Sequence, residues 1–175
     1  GDVIRSGSAS LGKTPYVARR FLRWTLPLGD ETEDNERAMD QLPGKEAARR
    51  VEVKIGKMAI NDDFDKNRYA DGTRTQFMNW ALFNNVAWDF AADTRGYTEG
   101  LMLGLVESGW SLRYGIYRMP TEANGSHLVA SLQTTITQLT VGSHKAELWR
   151  SNTAGWCSVE VALGAAQSFD ITVVA

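Results

Sequence analysis

A single cysteine, Cys157, stands in the 175 residues of this chain, which excludes an intramolecular disulfide and any metal site built on clustered cysteines. Histidine is almost as scarce, and the spacing of His127 and His144 from Cys157 matches no zinc pattern. Two polar residues and a small apolar filler are the plainer reading, so no metal and no cofactor are expected. No run approaches the ~18 apolar residues of a membrane-crossing helix. A β-barrel stays open, because its signal is weak alternation rather than a long apolar block. Charge of one sign is not in excess either: 19 Lys+Arg face 21 Asp+Glu, a formal net of −2. Nucleic acid is therefore not expected as a partner on bulk charge. The opening GDVIRSGSASLGKTP has no charged n-region, no apolar h-region and no Met, so the expectation is a removed leader or an internal fragment.

What the chain does have is six Trp, five Tyr and sixteen Gly, which suits an aromatic-rich β protein better than a helical bundle. Residues 14–28, TPYVARRFLRWTLPL, alternate. Tyr16, Ala18, Leu22, Trp24, Leu26 and Leu28 share one face; Val17, Arg19, Phe21, Arg23 and Thr25 share the other, the period-two pattern of a strand. Arg20 interrupts the apolar face and is expected at a rim or beside a polar neighbour, since charge at a lipid-facing midplane costs about 2–4 kcal/mol. RRVEVKIGKM sets Val51, Val53 and Ile55 against Arg50, Glu52 and Lys54. A barrel wall between lipid and water requires such a pattern, although an ordinary antiparallel strand over a soluble core also alternates.

The clearest hairpin turns at Ser108-Gly109. Leu101, Leu103 and Leu105, followed by Trp110, Leu112, Tyr114 and Ile116, form its apolar face. Gly100, Met102 and Gly104, with Ser111, Arg113, Gly115 and Tyr117, form the opposite one. Trp110 and Tyr97 sit at its two ends, where an interfacial aromatic girdle places them. The glycines either leave room for a lumen or admit another element at close range.

Residues 29–48 are dense in acid, Gly and Pro and read as a long solvated loop. The run Asp30, Glu31, Glu33, Asp34, Glu36 is read as solvation in preference to a cation-binding or gating loop. Asp63, Asp65 and Asn67 have the first spacings of a calcium loop, but Arg68 and Arg74 occupy its glycine and glutamate positions. The spacing of Phe77, Trp80 and Ala81 predicts a short helix near 74–83. VAWDF suggests a short strand, and ADTRG a turn. Beyond Gly125 charged residues thin out; SHLVASLQTTITQLTVG, SVEVAL and SFDITVVA read as strands without a motif. The expected division is a porin-like partial barrel over 1–125 and a β-rich tail over 126–175, diverged or frameshifted in origin.

Several blocks occur in the order seen in one family: PYVARRFLRWT, DQLPG, RRVEVKIGKM, FDKNRYADGTRTQFMNWALFNN, AWDFAADTRGYTEG and WSLRYGIYRMPTEANG. Over residues 14–125 the chain resembles the carbohydrate-selective outer-membrane porins, the OprB-like family. The stretch from Arg74 to Gly100 is the most distinctive. The resemblance implies an antiparallel transmembrane β-barrel, about sixteen-stranded in complete members, that passes sugars by diffusion across the outer membrane of a Gram-negative bacterium. It implies outer-membrane lipid and small sugars as partners and a homo-oligomer for the full-length protein. Departures are Arg20 in the family's PY-x-AR-x-F pattern, the unrecognised residues after Gly125, and a last residue, Ala175, in place of a terminal aromatic.

A porin carries out no bond chemistry; selectivity comes from pore width, lining charge and hydrogen-bond partners. On the strand phases the candidate pore-lining and substrate-contact residues are Arg19, Arg23, Arg50, Glu52, Lys54, Arg113 and Tyr117. Guanidinium and carboxylate groups exchange hydrogen bonds with sugar hydroxyls, and an aromatic face suits the C–H face of a pyranose. The rival from another class is a soluble β-sandwich module that binds carbohydrate or protein. An enzyme using a carboxylate pair such as Asp62/Asp63 or Asp89/Asp93 is disfavoured, because sequence proximity does not supply the fixed separation that glycosidases need. Membrane strands take about 9–11 residues each plus connections. Roughly five to eight therefore fit here, a partial barrel rather than a closed pore.

Overall fold

The computed structural model describes residues 15–37, 41–66, 70, 72, 76, 91–122, 125–142, 144–151 and 157–162. Among them the chain is all-β and antiparallel. Its strands are β1 (Arg20–Pro27), β2 (Thr32–Asn35), β3 (Gly44–Ala47), β4 (Arg50–Met58), β5 (Thr98–Glu107), β6 (Trp110–Pro120), β7 (Leu128–Val141), β8 (His144–Ser151) and β9 (Cys157–Ala162). One 3-10 turn, Ile60–Asp62, follows β4. Seven strands form one sheet in the order β1-β4-β5-β6-β7-β8-β9, while β2 and β3 pair as a separate hairpin. The large sheet is open, with β1 and β9 as its edges among the described residues.

Each strand of the sheet pairs with the one that follows it within the sheet: tight turns join β5 to β6 and β7 to β8, whereas long connections separate β1 from β4 and β4 from β5. Gly109 (φ +118°) closes β5 onto β6, and Gly142 (φ +56°) lies in the turn that returns β7 to β8. Both positions lie in the left-handed region that glycine reaches without strain. The division expected at residue 125 is not a break in the sheet: β6 pairs with β7 from Trp110↔Val141 to Pro120↔Leu128, with a bulge near Arg118. Strands β7 to β9 therefore extend the same sheet.

The acidic stretch 29–48 is not simply a loop. Thr32–Asn35 pairs with Gly44–Ala47, setting Glu33 opposite Glu46. High charge density masked the two short strands, whose carboxylates turn toward arginines of the sheet. The short helix expected near 74–83 lies outside the described residues apart from Gln76, as do Asn67, the VAWDF segment and the strand expected near the last residues.

Register lines up the apolar positions in continuous rows. Leu22, Ile55, Leu101 and Ile116 stand side by side, as do Trp24, Val53, Leu103 and Tyr114, and Leu26, Val51, Leu105, Leu112 and Leu139. This face is open: Leu22 is 68% exposed, Trp24 55% and Ile55 52%. The opposite face is charged and covered. Arg50 is 7% exposed, Glu52 4% and Lys54 6%. Its only apolar core among the described residues forms where Ile60, Phe64 and Ala91 pack on Met58, Met102, Tyr117, Met119 and Ile136.

Candidate functional site

The charged face is organised by one straight row across the sheet. Thr25, Glu52, Gly104, Arg113, Gln138 and Glu147 are successive register partners from β1 to β8. Gly104 leaves a gap in that row. A Cβ there would meet Glu52 Oε2 at 3.4 Å and Arg113 Cγ at 3.6 Å, so the two long side chains share the space above it. Arg113 Nη2 consequently stands 3.9 Å from Glu52 Oε2 although their strands are not neighbours.

Glu52 is the hub. Its Oε1 accepts from Arg50 Nε at 2.8 Å and from Arg23 Nη2 at 3.0 Å. Arg50 Nη1 also donates to Glu33 Oε1 at 2.7 Å and to the Ala47 carbonyl at 2.8 Å. Arg23 Nη2 donates to Glu46 Oε1 at 2.6 Å, and Glu46 Oε2 takes Asn35 Nδ2 at 2.7 Å. The β2–β3 hairpin is thus laid over one half of the charged face by Glu33 and Glu46. Further along the row, Arg113 Nη1 reaches Ser111 Oγ at 3.3 Å and Gln138 Oε1 at 3.4 Å. Gln138 Nε2 donates to Glu147 Oε1, which also accepts the Asp65 backbone N–H at 2.9 Å and lies 3.2 Å from Lys145 Nζ.

The other half is covered by residues 59–66. Lys54 Nζ pairs with Asp63 Oδ2 at 2.7 Å and lies 5.0 Å above the Phe21 ring. Arg19 holds Asp62 through two bonds of 2.8 and 3.2 Å and sits over Tyr97. Tyr117 is fully buried beneath this segment, edge-on to Phe64 at a centroid distance of 6.3 Å. Its ring lies on two glycines: a Cβ at Gly100 or Gly115 would come within 2.4 or 2.5 Å of ring carbons. The glycines of this face thus admit close packing by Tyr117 and Phe64.

All seven candidate residues therefore occupy one face, but in three groups. Arg23, Arg50, Glu52 and Arg113 form the central network. Arg19 and Lys54 tether the 59–66 segment, and Tyr117 presents no surface outward. Glu33, Glu46, Asp62, Asp63, Gln138 and Glu147 were not singled out as members of this site. Gln138 is in phase with Thr134 and Ile136, a weak period-two signal; the acids lie in turns and short strands without periodicity. Of the acidic run, Asp30, Glu31, Asp34 and Glu36 are exposed, and Glu33 serves the network. Among the carboxylate pairs, Asp62 and Asp63 are each taken by a cation, Asp93 accepts from Tyr16, and Asp89 lies outside the described residues.

Buried ion pairs are not a cheap source of stability, since desolvation offsets most of their attraction. A network of this kind above an exposed apolar sheet is the reverse of an ordinary water-soluble arrangement. Chemically it is a mostly covered file of fixed donors and acceptors, and its accessible members, Arg23 and Arg113, can exchange hydrogen bonds with polyhydroxylated or charged solutes. Among the described residues no group of three or more His, Cys, Asp or Glu could hold a metal ion, and no helix is long and apolar enough to cross a membrane. Comparison with protein-family models, with curated proteins and with solved structures finds no match for the chain.

Proposed function

We propose that the chain forms part of the wall of a transmembrane β-barrel of the carbohydrate-selective outer-membrane porin kind. In this reading the charged face lines an aqueous lumen, the apolar face meets outer-membrane lipid, and sugars pass by diffusion without bond chemistry. The observation that carries it is the inverted polarity of the sheet: Leu22, Trp24 and Ile55 outward, Arg50, Glu52 and Lys54 covered. The dimensions agree. Polar residues end the apolar face at both rims, with the Arg49–Glu107 pair at one and Arg20, Lys57, Glu99 and Arg118 at the other. From Arg49 to Lys57 the strand runs about 27 Å at ~3.4 Å per residue. Tilted as barrel strands are, that is roughly 20 Å, near the ~25 Å of a lipid-facing band.

Of the central network, the guanidinium groups of Arg23 and Arg113 keep exposed surface and are the groups a passing sugar would contact, while covered Arg50 and Glu52 hold them in place. The hairpin and the 59–66 segment, both folded over this face, narrow the path. Closure requires β1 and β9 to meet further strands, and a homo-oligomer of complete barrels in the outer membrane of a Gram-negative bacterium is the assembly that fits.

The test is detergent-dependent solubility and heat-modifiable gel migration of the chain, followed by sugar flux in liposomes for a complete barrel carrying it. Arg23→Ala or Arg113→Ala is expected to change flux and selectivity. A monodisperse chain without detergent would overturn the proposal in favour of a soluble carbohydrate- or protein-binding β module.

A further inference from the structure

The two rims of the apolar face are built differently. At one, Arg49 Nε and Glu107 Oε2 neutralise each other at 2.6 Å. At the other, the row Arg20, Lys57, Glu99 and Arg118 contains one carboxylate, and Arg118 takes it. Arg20 and Lys57 face each other in register, and neither has a carboxylate partner among the described residues. Lys57 Nζ lies 4.0 Å from the centre of the Tyr16 ring, and the Arg95 guanidinium carbon lies 4.2 Å from the same ring. Tyr97 stands beside that ring at 6.1 Å, tilted by 45°.

One carboxylate fixes this group from behind. Asp93 accepts the Tyr16 hydroxyl and the backbone N–H groups of Arg95 at 2.9 Å and Tyr97 at 3.2 Å. Its hydrogen-bonding capacity goes to the ring and the backbone, not to the cationic heads. An aromatic ring beside two cations attracts each of them but does not neutralise them. An anion reaching Lys57, Arg95 and Arg20 together would.

We infer that this rim binds the phosphate of an anionic lipid headgroup. Arg95 offers a planar fork for two phosphate oxygens, Lys57 a compact charge, and Arg20 a third contact. The adjoining row of the sheet, with exposed Leu22 and Ile55, receives the acyl chains, from which a free phosphate gains nothing. The inference rests on the barrel reading above, since only a lipid-facing sheet places acyl chains beside these cations.

The full chain is refolded in the presence of vesicles of phosphatidylcholine alone or with phosphatidylglycerol, and association is measured by flotation. Wild type is expected to prefer the phosphatidylglycerol vesicles. Lys57→Gln and Arg95→Gln should each lower that preference roughly five-fold. The exchange Lys57→Arg with Arg95→Lys should keep it, and Arg37→Gln, in the connection between β2 and β3, should leave it unchanged. Excess inorganic phosphate at matched ionic strength should not abolish it; abolition would assign the site to free phosphate and overturn the lipid assignment. Equal association with both vesicles, or an undiminished preference in both Gln variants, would overturn the headgroup site and leave the barrel reading standing. Association with neither vesicle would overturn the barrel reading itself.

Discussion

Tyr117 shows how much one residue's role depends on neighbours that are distant in sequence. Alternation alone places it on the same face as Gly100 and Gly115, but not that its ring lies against both, under Phe64. A methyl group at Gly115 would sit 2.5 Å from Tyr117 Cε2 and 3.0 Å from Phe64 Cε2, and both rings are fully buried. Gly115→Ala is expected to destabilise the sheet by about 1–3 kcal/mol, the usual range for overpacking. Gly104→Ala, whose new Cβ meets only flexible side chains, should cost less. Denaturant midpoints in detergent would separate the two. Tyr16 gives a pH dependence. Burial first, and then the hydrogen bond and charge of Asp93, raise its phenol above the ordinary value of 10.0. Its contribution to stability is therefore whole below about pH 10 and is lost as pH rises beyond it, where the unfolded chain ionises before the folded one. Tyr16→Phe should flatten that alkaline arm in unfolding curves taken between neutral and strongly alkaline pH.

At the scale of elements, the β2–β3 hairpin was hidden by its composition. Thr32–Asn35 and Gly44–Ala47 carry almost no apolar residues, so hydrophobic periodicity had nothing to register. What orders them is tertiary: Glu33 and Glu46 meet Arg50 and Arg23, which the phase of two well-patterned strands had already turned to the same side. Such a latch is electrostatic and sensitive to salt where it is exposed. Replacing Glu33 and Glu46 together by Gln should loosen the hairpin while leaving the sheet folded. Trypsin would report it as cleavage after Arg37 or Lys45 accelerated roughly ten-fold or more, since cutting follows the population of the open form. High salt on the wild type should move the rate the same way. By contrast, β5 and β6 were plain in the sequence because their alternation and turn chemistry agree. Strand β7 was legible from its alternation, whereas β8 (His144–Ser151) has no counterpart among the strands expected from the sequence; Gln138 and Glu147 gain meaning only in register with Arg113 and Gly104.

For the whole molecule the decisive property is which face of the sheet is covered. Leu103 lies in mid-face between Val53 and Tyr114 in register. If that face meets lipid, Leu103→Arg costs about 2–4 kcal/mol of folding into a bilayer. If it meets water, a charge there is close to neutral and improves solubility. Folding yield into liposomes for Leu103→Arg against Leu103→Ala distinguishes the two, and a loss confined to the Arg variant is expected. The sequence by itself determined the period-two strands, their two chemically opposite faces and the tight turn at Ser108-Gly109, because these follow from local backbone geometry and the spacing of apolar residues. It could not determine the fate of the charged face, because alternation says that two faces differ and not which one is covered. That was decided by tertiary structure. Residues 59–66 and the β2–β3 hairpin fold onto the charges, where Asp62, Asp63, Glu33 and Glu46 compensate Arg19, Lys54, Arg50 and Arg23 and leave the apolar face open.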